Sequence, residues 1–100
     1  MTDRTGLPAR LELPARVDLD GATSLRAALL ARRGAPLEIV ARDTVHLGAP
    51  GLEVLLSAQL LWQQDGHDLR IEEASPAFRA ALARLGGAGS LPLAPEGNDR

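Results

Sequence analysis

The sequence predicts an α/β fold in which a small mixed or parallel β-sheet of about four strands carries about three α-helices, packed mainly on one face. Short apolar runs that suit strands alternate with longer amphipathic runs that suit helices, in the order β, a possible second β, α, β, α, β, α. Helical crossovers between successive strands favour parallel pairing. The chain has 100 residues, 45% of them hydrophobic, which is enough for one core of modest size.

The first half of the chain predicts two or three strands and one helix. Residues 9–13 alternate apolar and charged side chains, which predicts a strand that resumes at residues 15–17 beyond a proline. Asp20 is the candidate N-cap of the first helix, and Gly34 is its predicted stop. The apolar run "PLEIVA" that follows predicts the central strand.

The second helix follows a turn of small and rigid residues, Gly-Ala-Pro-Gly at positions 48–51. Pro50 suits the first helical position, because its missing N–H would have no partner there. At about 100° per residue the helix has one narrow exposed face, and Leu56 lies at its margin. The residues on that face are Glu53, Ser57, Leu60 and Gln64.

The last elements are a turn, a strand and a third helix. "DGHD" at residues 65–68 predicts the turn, and "LRIEE" predicts a strand with Leu69 and Ile71 on one face. Ser75 is the predicted N-cap of the third helix, which ends at Gly86.

Composition argues against several classes of function. The formal net charge of −2 does not suit a nucleic-acid-binding protein. His46 and His67 are far apart and have no spaced cysteines or carboxylates beside them, so we expect no metal site, no catalysis and no cofactor. The chain contains no cysteine and no apolar segment of signal-peptide or membrane-spanning length. We therefore expect a soluble cytoplasmic protein without direct membrane insertion.

Three segments together resemble the STAS domain, the fold of anti-sigma-factor antagonists. They are "VHLGAPGLEVLLSA", the passage around "DGHDLRI" and "ASPAFRAALARLG". The resemblance covers residues 7–87 and leaves a flexible N-terminus at 1–6. The Gly- and Pro-rich stretch 88–100 predicts a disordered tail.

The chain departs from that family at its signature loop, which typically reads Asp-Ser-Ser-Gly-Leu or Asp-Thr-Ala-Gly-Leu. In the family, a serine or threonine there is phosphorylated by a partner kinase or contacts the partner. Placing Gly51 on the family's glycine puts Gly48 at the aspartate and puts Ala49 and Pro50 at the hydroxyl positions. Neither can accept a phosphoryl group, so we expect no phosphorylation switch at this turn. Any control must lie elsewhere: at Ser57, at Thr44, or in the abundance of a partner.

The resemblance implies a non-enzymatic regulatory module that binds a protein, namely an anti-sigma factor, a histidine-kinase-type protein or a chemotaxis partner. An alternative is an accessory STAS subunit that binds the ATPase of a bacterial ABC-type phospholipid transporter, to which "LLSAQLLWQQDG" looks closer. A small-ligand binder is a third possibility, and the oligomeric state is open. The predicted partner-binding residues are His46, Gly48, Ala49, Pro50, Gly51, Glu53, Leu56, Ser57 and Leu60. A bulky residue at Gly51 is expected to abolish partner binding and leave the fold intact.

Overall fold

The structure is a computed structural model that describes residues 9–94, and the structural statements below concern that part of the chain. The elements in chain order are β1 (Ala9–Glu12), β2 (Arg16–Val17), α1 (Leu19–Leu30), β3 (Leu37–Val40), β4 (His46–Leu47), α2 (Ala49–Asp65), β5 (Leu69–Glu72) and α3 (Pro76–Arg84). The predicted order is confirmed, and β4 is an additional strand that sequence analysis missed. Two residues are too few to show the alternation that marks a strand.

The strands form two small parallel sheets. In the larger one the order is β1-β3-β5, so "PLEIVA" supplies the central strand as predicted. Leu11, Ile39 and Ile71 lie side by side across it. The smaller sheet pairs β2 with β4, with Val17 opposite Leu47. The α/β fold class with parallel strands and three helices is confirmed.

The two faces of the larger sheet differ in polarity, because successive side chains of a strand point to opposite faces. Leu11, Ile39 and Ile71 belong to the core that the helices cover. Arg10 lies opposite Glu38 on the other face, and their side chains form an ion pair of 3.2 Å. A charged outer face explains why the helices gather on the apolar one.

The first helix begins earlier than the sequence predicts. Asp18, not Asp20, is the N-cap: its backbone is extended, and its carboxylate accepts a 3.0 Å hydrogen bond from the N–H of Gly21. Strand β2 ends at Val17, so the chain can turn into the helix immediately. The predicted cap of α3 is confirmed, since Ser75 Oγ accepts a 3.0 Å hydrogen bond from the N–H of Phe78.

The segment after α3 differs from the expected disordered tail over residues 91–94. It lies along the free edge of β5, where Ile71 donates to the carbonyl of Pro92 and Ala94 donates to the carbonyl of Ile71. Leu91 is buried against the core. The apolar residues and the unpaired edge of β5 outweigh the loop-like composition of this stretch. The expectations for residues 1–6 and for residues 95–100 lie outside the described part of the chain.

Candidate functional site

The predicted turn joins β4 to α2 beside the start of α1. The N–H of Gly48 donates a 3.0 Å hydrogen bond to the carbonyl of Val17, at the end of β2. Gly48 is the N-cap of α2, with no side chain to cap the helix, and Pro50 is the second helical residue, one position later than predicted. The parallel pair of β2 and β4 therefore brings the first turns of α1 and α2 side by side.

Gly51 is buried and does not belong to the surface of the turn. A Cβ at this position would lie 2.6 Å from Val17 Cγ1 and 2.8 Å from Leu47 Cδ1. The glycine lets α2 approach β2 and β4 closely. The expectation that a bulky residue here would spare the fold is therefore wrong.

The remaining predicted partner-binding residues lie along the turn and the outer side of α2. The exposed ones are Ala49, Glu53, Ser57 and Leu60, and the half-buried ones are His46, Gly48, Pro50 and Leu56. Leu60 is 60% exposed, whereas five other residues of the helix are buried. The structure thus places an apolar side chain at the centre of an otherwise polar strip.

A groove of about 630 Å³ separates the outer sides of α1 and α2. The buried residues at its floor are the small Ala22 and Ala58 together with the larger Leu29 and Trp62. Three leucines stand along its rim: Leu60 on α2, and Leu19 and Leu30 on α1, which are 68% and 43% exposed. A row of exposed leucines beside a concave surface is typical of a contact site.

Sequence analysis missed the contribution of α1 to this groove, although the sequence holds a signal for it. Arg26 and Leu30 follow Leu19 by 7 and 11 positions, spacings that return to the same side of a helix. That side lies off the buried stripe formed by Leu25 and Leu29. Only the pairing of β2 with β4 brings this side of α1 next to α2.

Of the two hydroxyls considered for control, Thr44 is fully buried. Its Oγ1 donates a 3.0 Å hydrogen bond to the carbonyl of Pro14, and its own carbonyl accepts the hydroxyl of Ser75. These bonds tie the approach to β4 to the start of α3. A kinase could not reach Thr44 in the folded domain, whereas Ser57 is exposed beside the groove.

The ionisable groups with shifted pKa values have structural partners. The backbone N–H of Gly21 lowers the pKa of Asp18, the cap of α1. Arg33 lowers the pKa of Asp65 through a 2.7 Å hydrogen bond that joins the loop after α1 to the end of α2. Helix capping and helix pairing account for both shifts.

Within residues 9–94 no three His, Cys, Asp or Glu side chains cluster as metal ligands would. Over the same range, no helix combines the length and the apolar character that crossing a bilayer requires.

The parallel strands and the helices gathered on one face define a small α/β domain in which one side of α2 is exposed. The family model described as "Mlab, STAS domain" matches residues 1–93, nearly the whole chain. The chain therefore belongs to the STAS-domain family, as its motifs predict, and STAS domains are generally regulatory or protein-interaction modules without enzymatic activity. A comparison with curated proteins found no match.

Proposed function

We propose that this STAS domain is a non-enzymatic regulatory module that binds a protein partner through the turn at residues 48–50 and the exposed side of α2. The observation that carries the proposal is the exposure of Leu60 between Glu53 and Gln64 along one helix face. An apolar centre within a polar rim is the usual anatomy of a protein interface.

Binding at this surface requires no covalent change at the turn. Gly48, Ala49 and Pro50 carry no hydroxyl that a kinase could modify. Without the charge of a phosphate, complementarity of shape and apolar contact must supply the affinity. The surface is preformed, because Gly51 packs α2 tightly against β2 and β4.

The first candidate partner is an anti-sigma factor, a histidine-kinase-type protein or a chemotaxis protein. The STAS fold and the position of the turn at the start of α2 support this assignment. In this case the domain regulates through reversible binding, and the abundance of either protein sets the degree of binding.

The second candidate is an accessory subunit of a bacterial ABC-type lipid transporter, bound to its ATPase. The observation that favours it is the row of exposed leucines at positions 19, 30 and 60. Permanent complexes have more apolar interfaces than transient ones. Both classes of partner meet such a domain in the cytoplasm, so the proposal includes a cytoplasmic location.

The test is co-purification of the tagged full chain from its own cells, with identification of the partner by mass spectrometry. L60E should abolish capture and leave the circular dichroism spectrum unchanged. V45E is the matched control, because Val45 is 64% exposed and precedes β4 at the end away from the turn. A signalling protein that dissociates during gel filtration supports the first candidate, and an ATPase that stays bound supports the second.

The proposal is wrong if L60E and V45E capture the same proteins in the same amounts. A stoichiometric phosphate on residues 44–57 of the purified material would overturn binding without covalent change. Turnover of a substrate by the isolated chain would contradict the non-enzymatic assignment.

A further inference from the structure

Helices α1 and α2, which form the two walls of the groove, begin at the same end of the domain. Val17 and Leu47 are opposite each other in the parallel pair of β2 and β4, and each helix starts two residues further on. Residues 30 positions apart in α1 and α2 therefore lie at about the same height. By this register Leu30, at the end of α1, corresponds to Leu60 of α2, and both residues line the groove.

Each wall carries one charged residue, and the two charges are opposite. Arg26 lies on the α1 wall and Glu53 on the α2 wall. Within the described residues, neither takes part in an ion pair. Arg26 stands three residues further along its helix than Glu53 does, an offset of about 4.5 Å that a long side chain can span.

We propose that a second copy of this chain covers the groove and forms a twofold-symmetric homodimer. In such an interface every contact between two different residues occurs twice. A twofold axis along the groove lays α1 of one copy over α2 of the other. Arg26 of each copy then meets Glu53 of the second copy, and the charged residue on each wall is paired.

A twofold axis in this interface can run along the groove or across it, and the charges favour the axis along the groove. An axis across the groove would lay α1 on α1 and α2 on α2, with Arg26 near Arg26 and Glu53 near Glu53. Like charges at these positions would oppose association. The charge pattern therefore fixes which helix each wall meets.

The apolar residues fit the same arrangement. With the axis along the groove, Leu30 of one copy comes level with Leu60 of the second copy, and two exposed leucines cover each other. The alanines of the floor, Ala22 and Ala58, leave room for these larger side chains. Protruding leucines, a receiving groove and complementary charges all lie on one face, so the face is complementary to itself.

The interface is small, which predicts a weak dimer. The helices have 12 and 17 residues, so they are about 18 Å and 26 Å long. A face of two such helices is at the lower end of the sizes that hold proteins together. The inference of a homodimer does not rest on the proposed function, but Glu53 and Leu60 belong to both surfaces. The homodimer and the partner complex therefore exclude each other, and self-association lowers the partner-binding capacity of a concentrated sample.

Sedimentation of the full chain over concentrations from about 1 μM to about 1 mM tests the proposal. The mass should rise from 10.5 kDa towards twice that value. R26E alone and E53R alone should each stay monomeric, because each variant brings like charges together across the interface. Circular dichroism checks that both variants fold.

The decisive sample is an equimolar mixture of R26E and E53R. One variant offers acidic groups at both positions and the other offers basic groups, so the mixture should form a heterodimer. The double variant R26E/E53R should regain the homodimer. R84E reverses an exposed charge on α3, away from the groove, and should dimerise like the wild type.

A wild-type chain that stays monomeric throughout overturns the homodimer and leaves the proposed function untouched, since partner capture is measured separately. Dimers of R26E or of E53R at wild-type strength also overturn it, as does a mixture that fails to associate. Loss of partner capture by L60E together with a monomeric wild type would assign the groove to the partner instead.

Discussion

Gly51 of α2 packs directly against Val17 of β2: a Cβ on Gly51 would lie 2.6 Å from Val17 Cγ1. This contact holds the first turn of α2 against the smaller sheet and sets the height at which the helix starts. The position of the turn at residues 48–50, and of the exposed side of α2 that follows it, depends on the absence of a side chain at Gly51. Gly51 therefore acts through packing: it lies buried beneath the proposed binding surface and sets the position of that surface.

Substituting Gly51 by alanine should therefore destabilise the domain. The added methyl group meets Val17 and Leu47 within 3 Å, and overpacking of this kind costs about 1 to 3 kcal/mol of the free energy of unfolding. Urea denaturation followed by circular dichroism measures the change. G48A is the control, since its nearest contact would be 3.6 Å, and it should cost less. Equal stability of G51A and the wild type would contradict the close contact.

Thr44 should prove to be structural. T44V removes the donor to the carbonyl of Pro14, an exposed residue, and the expected loss is about 1 kcal/mol of the free energy of unfolding. Partner capture should survive at temperatures where the variant is folded. S57A, at an exposed position, should change stability by no more than about 0.5 kcal/mol. Lost capture with unchanged stability would assign the Thr44 hydroxyl to binding.

The segment 91–94 should contribute to stability. A chain that ends at Ser90 lacks buried Leu91 and the two backbone hydrogen bonds to Ile71, and should lose about 2 kcal/mol or more. The exposed edge of β5 should also promote aggregation. A chain that ends at Ala94 keeps the segment and serves as the control. Thermal melts compare the two, and identical Tm values would show that the segment does not stabilise the sheet.

The cap of α1 should make stability depend on pH. The N–H of Gly21 lowers the pKa of Asp18 in the folded state, so the cap stabilises the fold above the unfolded-state pKa and is lost as the pH falls through the folded-state value. The Tm should thus fall as the medium is acidified below about pH 4. D18N keeps an oxygen acceptor without titrating, and its Tm should fall less.

Because Asp65 and Glu73 also have lowered pKa values, D18N should reduce the acid sensitivity without removing it. D20N changes the same charge without touching the cap and is the control. If D18N and the wild type lose the same Tm on acidification, the Asp18 carboxylate does not stabilise α1.

Most of the fold could be predicted from the sequence, because the relevant signals lie within single segments. Alternation predicted β1 and β5, and helical periodicity predicted all three helices. The cap at Ser75 marked the start of α3 correctly, and the proline at position 50 marked the start of α2 to within one residue. The exposed position of Leu60 also follows from the face that it shares with Glu53.

The remaining features of the fold and of the candidate site depended on contacts between segments that are far apart in the sequence. The pairing of β2 with β4 is two residues long and leaves no pattern in either strand. Gly51 resembles any other turn glycine until Val17 and Leu47 are placed beside it. The segment 91–94 has the composition of a loop and becomes ordered only because β5 has a free edge.

The sequence by itself determined the three helices, every strand except β4, the order of these elements and the lack of a hydroxyl at the turn, since these follow from local periodicity and side-chain chemistry. The tertiary structure alone decided that the outer sides of α1 and α2 share one groove. Arg26 and Glu53 are far apart along the chain, and only the packing of both helices above one parallel strand pair brings them together.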